Sequence, residues 1–145
     1  MKLERRPAMP GDIPWLLQLR RTTMDPHLAA TGASTAEAHH RERLMDRFEC
    51  AQVLLEGGRP VGLLKLCRDG GEWHLVQIQL VPELQGRGIG GALLREVIDE
   101  ARAANAALKL TVLKANPARM LYERLGFVTE GESEFQYAMR LSPRA

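Results

Sequence analysis

The sequence predicts an α/β (α+β) domain with a central mixed, mostly antiparallel sheet and helices on both faces. Three observations carry this. Val76, Ile78 and Leu80 alternate with Gln77 and Gln79, the period-two pattern of a strand, and Pro82 ends it. A glycine-rich turn and a helix follow, with Leu93, Leu94, Val97, Ile98 and Ala101 at three-and-four spacing, and then a second apolar strand, Ala107 to Leu113. That succession is one parallel βαβ unit. Ahead of it, Ala51 to Glu56 and Val61 to Cys67 read as strands across Gly57-Gly58-Arg59-Pro60, and Asp69-Gly70-Gly71 turns the second into the central strand, which makes an antiparallel meander.

The remaining elements fill in around this unit. Lys2 to Arg6 form a short edge strand, charged enough to discourage edge-to-edge pairing. Asp12 is placed as an N-cap, Pro14 suits a first turn, and Ile13, Leu16 and Leu17 give an apolar face to a helix reaching about Met24, where Pro26 is expected to stop it. Ser34-Thr35-Ala36-Glu37 spells a capping box for a second helix running to about Phe48. Its stripe of His40, Leu44 and Phe48 is thin, which places it on the surface beside the first helix. A last helix from about Pro117 to Leu125 ends at Gly126. Phe127 to Thr129 and Phe135 to Leu141 close the sheet around a polar loop, Thr129 to Glu134, and Ser142 to Ala145 are expected to fray. Residues 1–145 are read as a single domain, large enough for one core and too short for two.

The turn between the central strand and its helix carries four glycines, at 86, 88, 90 and 91. At a helix N-terminus the first-turn N–H groups have no intrahelical partner, the dipole favours negative charge, and missing Cβ atoms let a diphosphate approach the backbone. A bare strand-to-helix turn needs fewer glycines, and Gly91 weakens the helix interior. Gly86-Arg87-Gly88-Ile89-Gly90-Gly91 matches G-x-G-x-x-G, but the next strand ends in Leu113-Lys114-Ala115-Asn116, without the acid that would hold a ribose. No Lys-Ser/Thr pair follows the glycines, so a nucleoside-triphosphate loop is excluded as well.

Gln85-Gly86-Arg87-Gly88-Ile89-Gly90 fits Q/R-x-x-G-x-G/A, and the run from Asn116 to Phe127 is similar to N-x-x-A-x-x-x-Y-x-x-x-G-F, with Ala118, Tyr122, Gly126 and Phe127 at its spacing and Asn116 two residues rather than three before Ala118. On these motifs the C-terminal half resembles the GNAT superfamily of N-acetyltransferases; the N-terminal half fits it only in its order of elements. The resemblance implies that the two parallel strands splay and that acetyl-CoA, as co-substrate without a metal, lies in the opening. It implies that the backbone of Gln79, Leu80 and Val81 pairs with the pantetheine arm, as an added strand would. The diphosphate then falls on the turn Gln85-Gly86-Arg87-Gly88-Ile89-Gly90-Gly91, with Arg87 as its charge partner. Asn116 either hydrogen-bonds the arm or caps its helix.

Aminolysis of a thioester needs an uncharged amine, a stabiliser for the carbonyl oxygen and a proton for the departing thiolate. Tyr122 occupies the family position for the proton donor, the general acid; on its own it also reads as a core aromatic. Glu72 or His74, at the start of the central strand, is the candidate general base. Gln77 and Gln79 cannot be bases but can orient an acceptor. His27, His39, His40 and Glu37 fall in the region that lines the family's acceptor pocket, and from composition alone they read as surface residues. The function implied is acyl-CoA-dependent N-acyl transfer, most simply of acetyl to a primary amine of a small molecule by direct attack in a ternary complex. The alternative is a non-catalytic acyl-CoA-binding or sensing domain.

Composition bounds the rest. A hydrophobic content of 45%, a charged content of 26% and a net charge of +2 describe a soluble globular chain. No basic run and no aromatic-rich strand points to nucleic acid, and no segment approaches a membrane span or a signal h-region. The expected address is the cytoplasm, with Cys50 and Cys67 as two reduced thiols. A homodimer is expected from the last strands, where Phe135 and Tyr137 offer contacts to a partner.

Overall fold

The computed structural model describes residues 2–143. In chain order the elements are β1 (Glu4–Pro7), α1 (Ile13–Thr31), α2 (Glu37–Met45), β2 (Ala51–Glu56), β3 (Arg59–Asp69), β4 (Glu72–Leu80), α3 (Ile89–Ala103), β5 (Ala107–Leu113), α4 (Ala118–Arg124), β6 (Val128–Glu132) and β7 (Gln136–Leu141). The strands form one sheet in the order β1-β2-β3-β4-β5-β7-β6, and only the β4–β5 pair is parallel. The mixed, mostly antiparallel sheet with helices on both faces is therefore present.

Each face of the sheet buries its own core. On one side α3 and α4 cover Leu64, Leu66 and Leu108 with Leu94, Val97 and Tyr122. All five positions predicted for the apolar face of α3 are buried. On the other side α1 and α2 cover Leu63 and Ala51 with Leu16, Leu17, Leu19 and Leu44.

Parallel pairing of β4 with β5 runs from Glu72 opposite Ala107 to Leu75 opposite Leu110 and then ends. At that point β4 carries a bulge. Lys65 pairs with Gln77 and Leu66 with Leu75, so Val76 has no partner on β3. An extra residue bends a strand and reverses its in–out alternation beyond that point. Trp73 and Leu75 face the α3 core before the bulge, Ile78 and Leu80 after it. Gln77 and Gln79 consequently turn to the α1–α2 side, where they are 8% and 5% exposed. The plain alternation read from the sequence buries Val76 and Ile78 instead; both are only half-buried.

Four local expectations are corrected. Pro26 does not stop α1, which continues to Thr31 and ends where Gly32 takes a left-handed φ of 86°. Pro26 leaves only the Thr22 carbonyl without its donor, both residues are exposed to water, and Leu28 beyond them is buried, so packing outweighs the lost bond. Asp12 holds the N-cap position of α1 but makes no side-chain capping bond; its carboxylate binds Arg6 at 2.8 Å and accepts from the Met9 N–H at 2.7 Å. The capping box of α2 does not form: the cap position is Ala36, Ser34 Oγ accepts from the Ala36 N–H, and Glu37 pairs with Arg21 at 3.0 Å. Finally, Cys50 and Cys67 are joined in a disulfide with Cα atoms 5.2 Å apart, because the β2–β3 register brings the ends of that hairpin together across 17 residues.

Lys65, fully buried in β3, donates to the carbonyls of Arg43, Leu44 and Asp46 at 3.1, 2.7 and 2.7 Å. A cation on the C-terminal carbonyls of α2 is favoured by the helix dipole and fixes that helix against the sheet. Burial, the dominant influence, lowers the Lys65 pKa to about 8.

The last strands are shifted from expectation: β6 extends to Glu132, into the segment read as a loop, and β7 begins at Gln136. Their aromatic residues are engaged within the chain. Tyr137 is covered by the Arg119 guanidinium at 3.9 Å, and Phe135 lies beside Gly32, while both side chains stay partly exposed. The fraying expected of Ser142 to Ala145 falls in part on residues 144 and 145, outside the described residues.

Gly62 sits where β2, β3 and β4 meet, and a Cβ there would collide with the Gln79 carbonyl and press on Leu54 and Leu80. Gly62→Ala should cost about 2 kcal/mol, in the range of overpacked sites. Urea denaturation measures it; an unchanged midpoint would contradict this account of the β3–β4 contact.

Candidate active site

Where β4 and β5 diverge, the sheet opens into a cavity of about 380 Å³. Its floor is Val76 to Gln79 of β4 and Thr111 to Leu113 of β5. Asn116 and Tyr122 close it from the α4 side, and Arg20, Met24, Leu28, His39 and Arg43 close it from the α1–α2 side. The continuation of α1 past Pro26 is what brings Leu28 to this wall.

Backbone polarity along the open edge follows from the register. The Val81 N–H donates to the Val61 carbonyl at 2.9 Å, so odd-numbered residues after the bulge face β3. The N–H and C=O of one strand residue point to the same edge. Ile78 and Leu80 therefore present theirs to the opening. The Leu80 carbonyl is taken by Gln85 Nε2 at 3.0 Å, which ties the glycine turn to the end of the strand, and the Leu80 N–H stays open. Gln79 faces β3 with its backbone, and Val81 has both groups occupied, its carbonyl accepting from Leu84. Of the three residues expected to pair with an amide-bearing arm, Leu80 has the open group, and Ile78, which sequence reasoning passed over, has another.

The turn itself is built for approach to the backbone. Gly86 and Gly88 both adopt φ of 76°, a left-handed conformation that disfavours any other residue, and an added Cβ at either meets only open space. Gly88 caps α3, whose first internal bond runs from the Ala92 N–H to the Gly88 carbonyl at 3.0 Å. The N–H groups of Ile89, Gly90 and Gly91 thus have no partner within the helix. Ile89 buries its side chain in the core and offers only its backbone. Arg87 is exposed beside these groups, without an ion pair among the described residues.

Tyr122 is 8% exposed, packs its ring against Phe127 at 5.7 Å, and lines the cavity with a hydroxyl that donates to no protein group among the described residues. Burial raises its pKa above the ordinary value, so the hydroxyl holds its proton at neutral pH. It is a core aromatic whose hydroxyl keeps its proton and faces no acceptor in the protein among the described residues. Asn116 Oδ1 accepts from the Ala118 N–H at 2.9 Å and so caps α4, while the residue also lines the cavity.

The two candidate bases lie elsewhere. Glu72 is exposed, bonded to Arg140 at 2.8 Å with Lys109 at 3.7 Å, and these cations hold its carboxyl below the usual range. His74 is half-buried, and burial followed by Arg47 and Lys109 lowers its pKa. Both line a second depression, on the paired part of β4, and neither lines the cavity that holds Tyr122. The imidazole that does line it is His39, whose pKa is lowered by burial, then by Arg20 and Arg43. His40, one residue on, is fully buried, contrary to its surface reading. His27 and Glu37 do not line the cavity.

A family model described as acetyltransferase (GNAT) domain matches residues 24–141. No curated protein sequence matches the chain. Among solved structures, it is similar to PaiA N-acetyltransferase from Thermoplasma acidophilum in complex with coenzyme A, at a TM-score of 0.74 and 19% identity over 98% of this chain and 99% of that one. The ribosomal-protein-S18-alanine N-acetyltransferase from Escherichia coli is similar at 0.71 and 20%, over 99% and 96%. N-acetylglutamate synthase from Neisseria gonorrhoeae, complexed with coenzyme A and N-acetyl-glutamate, is similar at 0.70 and 20%, over 100% of this chain and 36% of that one. At these identities the likeness is one of fold.

The two kinds of glycine in the turn should respond differently to a methyl group. Gly88→Ala should lower stability by about 1–2 kcal/mol, the cost of a left-handed non-glycine residue. Gly90 is helical and its added Cβ would lie 3.7 Å from Leu80 Cδ1, an ordinary contact, so Gly90→Ala should be neutral or stabilising by up to about 1 kcal/mol. Equal losses in chemical denaturation would contradict this reading of the turn.

Proposed function

Because this chain belongs to the GNAT acetyltransferase family, we propose that it is an N-acyltransferase that moves acetyl from acetyl-CoA to a primary amine of a small molecule within a ternary complex. One observation carries the reading: the unpaired edge of β4 and the open N–H groups of the glycine turn flank a cavity that also holds a protonated tyrosine. The open N–H group of Leu80 suits an amide of a pantetheine arm, which leaves that of Ile78 for the thioester end, and those of Ile89, Gly90 and Gly91, with Arg87, suit a diphosphate. Acetyl-CoA supplies the thioester.

The residues divide the remaining work. His39, kept neutral by burial and by neighbouring cations, accepts the proton of the attacking amine, directly or through water. As the carbon–nitrogen bond forms, an N–H on the open edge of β4 stabilises the carbonyl oxygen. When the carbon–sulfur bond breaks, Tyr122 gives its proton to the thiolate. This assigns the base to His39 in place of Glu72 or His74, which line the other depression. A non-catalytic acyl-CoA sensor has no use for a proton donor at the sulfur, so Tyr122 favours the enzyme.

Tyr122→Phe keeps the ring and its contact with Phe127 and deletes the donor. Its affinity for acetyl-CoA should be unchanged and kcat should fall on the order of 10- to 100-fold, the low end for general acid catalysis because a thiolate leaves readily. Steady-state CoA release checks it, and an unchanged kcat with chemistry rate-limiting would remove Tyr122 from the mechanism. The same assay run against pH tests His39. A base with a lowered pKa is lost only as pH falls below its ordinary range near 6.5, so kcat/KM should drop on the acid side of about pH 6.5. Persistence of that acid limb in His39→Asn would point to another base.

A further inference from the structure

The α1–α2 wall of the cavity contains a buried polar array that the acyl-transfer steps leave unused. Arg20, 2% exposed on α1, donates from Nε to His40 Nδ1 at 3.0 Å. An arginine Nε is only a donor, so Nδ1 accepts, and the imidazole proton sits on Nε2, which faces Asp25 Oδ1 at 2.6 Å. Asp25 thus holds His40 in one tautomer, and His40 holds Arg20. That arrangement fixes the guanidinium by its Nε edge, while Nη1 is buried with no hydrogen-bond partner among the described residues. Gln77 Oε1 and both side-chain amide atoms of Gln79 are buried without partners in the same way. All three residues line the cavity.

A buried polar atom without a partner is costly, and a guanidinium hydrogen more so. The charge around it sharpens the point. Arg43 and His39 line the cavity with Arg20, and no carboxylate does among the described lining residues. Asp25, the nearby acid that acts on Arg20, is held behind His40 and outside the lining. Burial and Arg43 together lower the Arg20 pKa to about 10, which still leaves it charged at neutral pH. A fixed, desolvated cation beside neutral amide groups is a site for an anion with hydrogen-bonding capacity next to it. A cationic polyamine would meet repulsion here.

We propose that the acceptor is a small amine that also carries a carboxylate, an amino acid in the broad sense, with its carboxylate on the Arg20 guanidinium and its amine end against Gln77 and Gln79. This rests on the acyl-transfer reading of the same cavity and names the substrate class. Met24, Leu28 and Phe135 add an apolar wall that suits an aliphatic body between the two polar ends. His40 and Asp25 are positioning residues for Arg20.

Two measurements test it separately from acyl transfer. The first compares leucine and γ-aminobutyrate as acceptors, each against its primary amide and the alkylamine that lacks the carboxylate, by CoA release. The carboxylates should be preferred by about tenfold or more in kcat/KM, a preference that Arg20→Gln should reduce to near one. The amide of leucine has the less basic amine, so intrinsic reactivity works against this outcome. The second is calorimetry of N-acetylleucine and its amide on the CoA-loaded protein, which needs no turnover. Tighter binding of the carboxylate by tenfold or more, lost in Arg20→Gln, supports the site; if that variant does not fold, Arg20→Lys, with the charge kept and the fork removed, should show a reduced preference. Equal binding of carboxylate and amide, or equal turnover of the neutral amines, overturns the carboxylate assignment and leaves N-acyl transfer standing. Selective binding of N-acetylleucine with no turnover of any amine does the reverse.

Discussion

Parallel pairing between β4 and β5 lasts for four residue pairs and stops at Leu75 opposite Leu110. The cavity, its open backbone edge and the placement of the glycine turn all depend on that interruption. Its physical cause is local. The bulge at Val76 increases the bend of β4 just where pairing ends, and antiparallel pairing with β3 resumes on the far side at Gln77. β4 is thus held by one neighbour and released by the other. The released edge would be a liability in an ordinary sheet, since unpaired N–H groups attract other strands. Here it borders a cavity walled by residues of α1, α2 and α4.

The same bulge decides what lines the other side. By reversing the alternation of β4 it brings Gln77 and Gln79 into the layer beneath α1 and α2, opposite Lys65 and Leu63 in the register. A polar stratum results, with Lys65 satisfied by the end of α2 and Arg20 fixed by His40. The satisfied members position the helices, and the unsatisfied ones face the cavity. One extra residue in a strand therefore shapes both walls of the cavity, and a buried amide without a protein partner calls for water or a ligand to pair with it.

Much of this was legible in the sequence where local signals act alone. The helical face of α3, the bounds of β2 and the glycine turn were all readable, because periodicity, β-propensity and turn chemistry are short-range. What was hidden depends on distant neighbours. Pro26 reads as a stop until Leu28 is seen to be buried; Asp12 and Glu37 read as caps until Arg6 and Arg21 are seen to take them. Cys50 and Cys67 are separate in the sequence and adjacent only through the β2–β3 register. The bulge leaves no compositional mark, so the burial of Gln77 and Gln79 was inverted. His39 and His40 look alike as a pair on a polar helix, and only tertiary packing sends one to the cavity and the other beneath it. A charged or amide residue alternating with aliphatics in a central strand is the one signal that could have pointed to the polar layer.

An acyl-CoA site formed by the opening between β4 and β5 and by the glycine turn has a consequence for backbone protection. Residue-resolved amide hydrogen exchange, measured with and without saturating CoA, tests it most directly. The amides of Ile78, Leu80 and residues 86–91 should slow strongly on binding, with little change in β1, β2 or β6. Absence of saturable CoA binding, or protection that spares the β4 edge and the glycine turn, would contradict it.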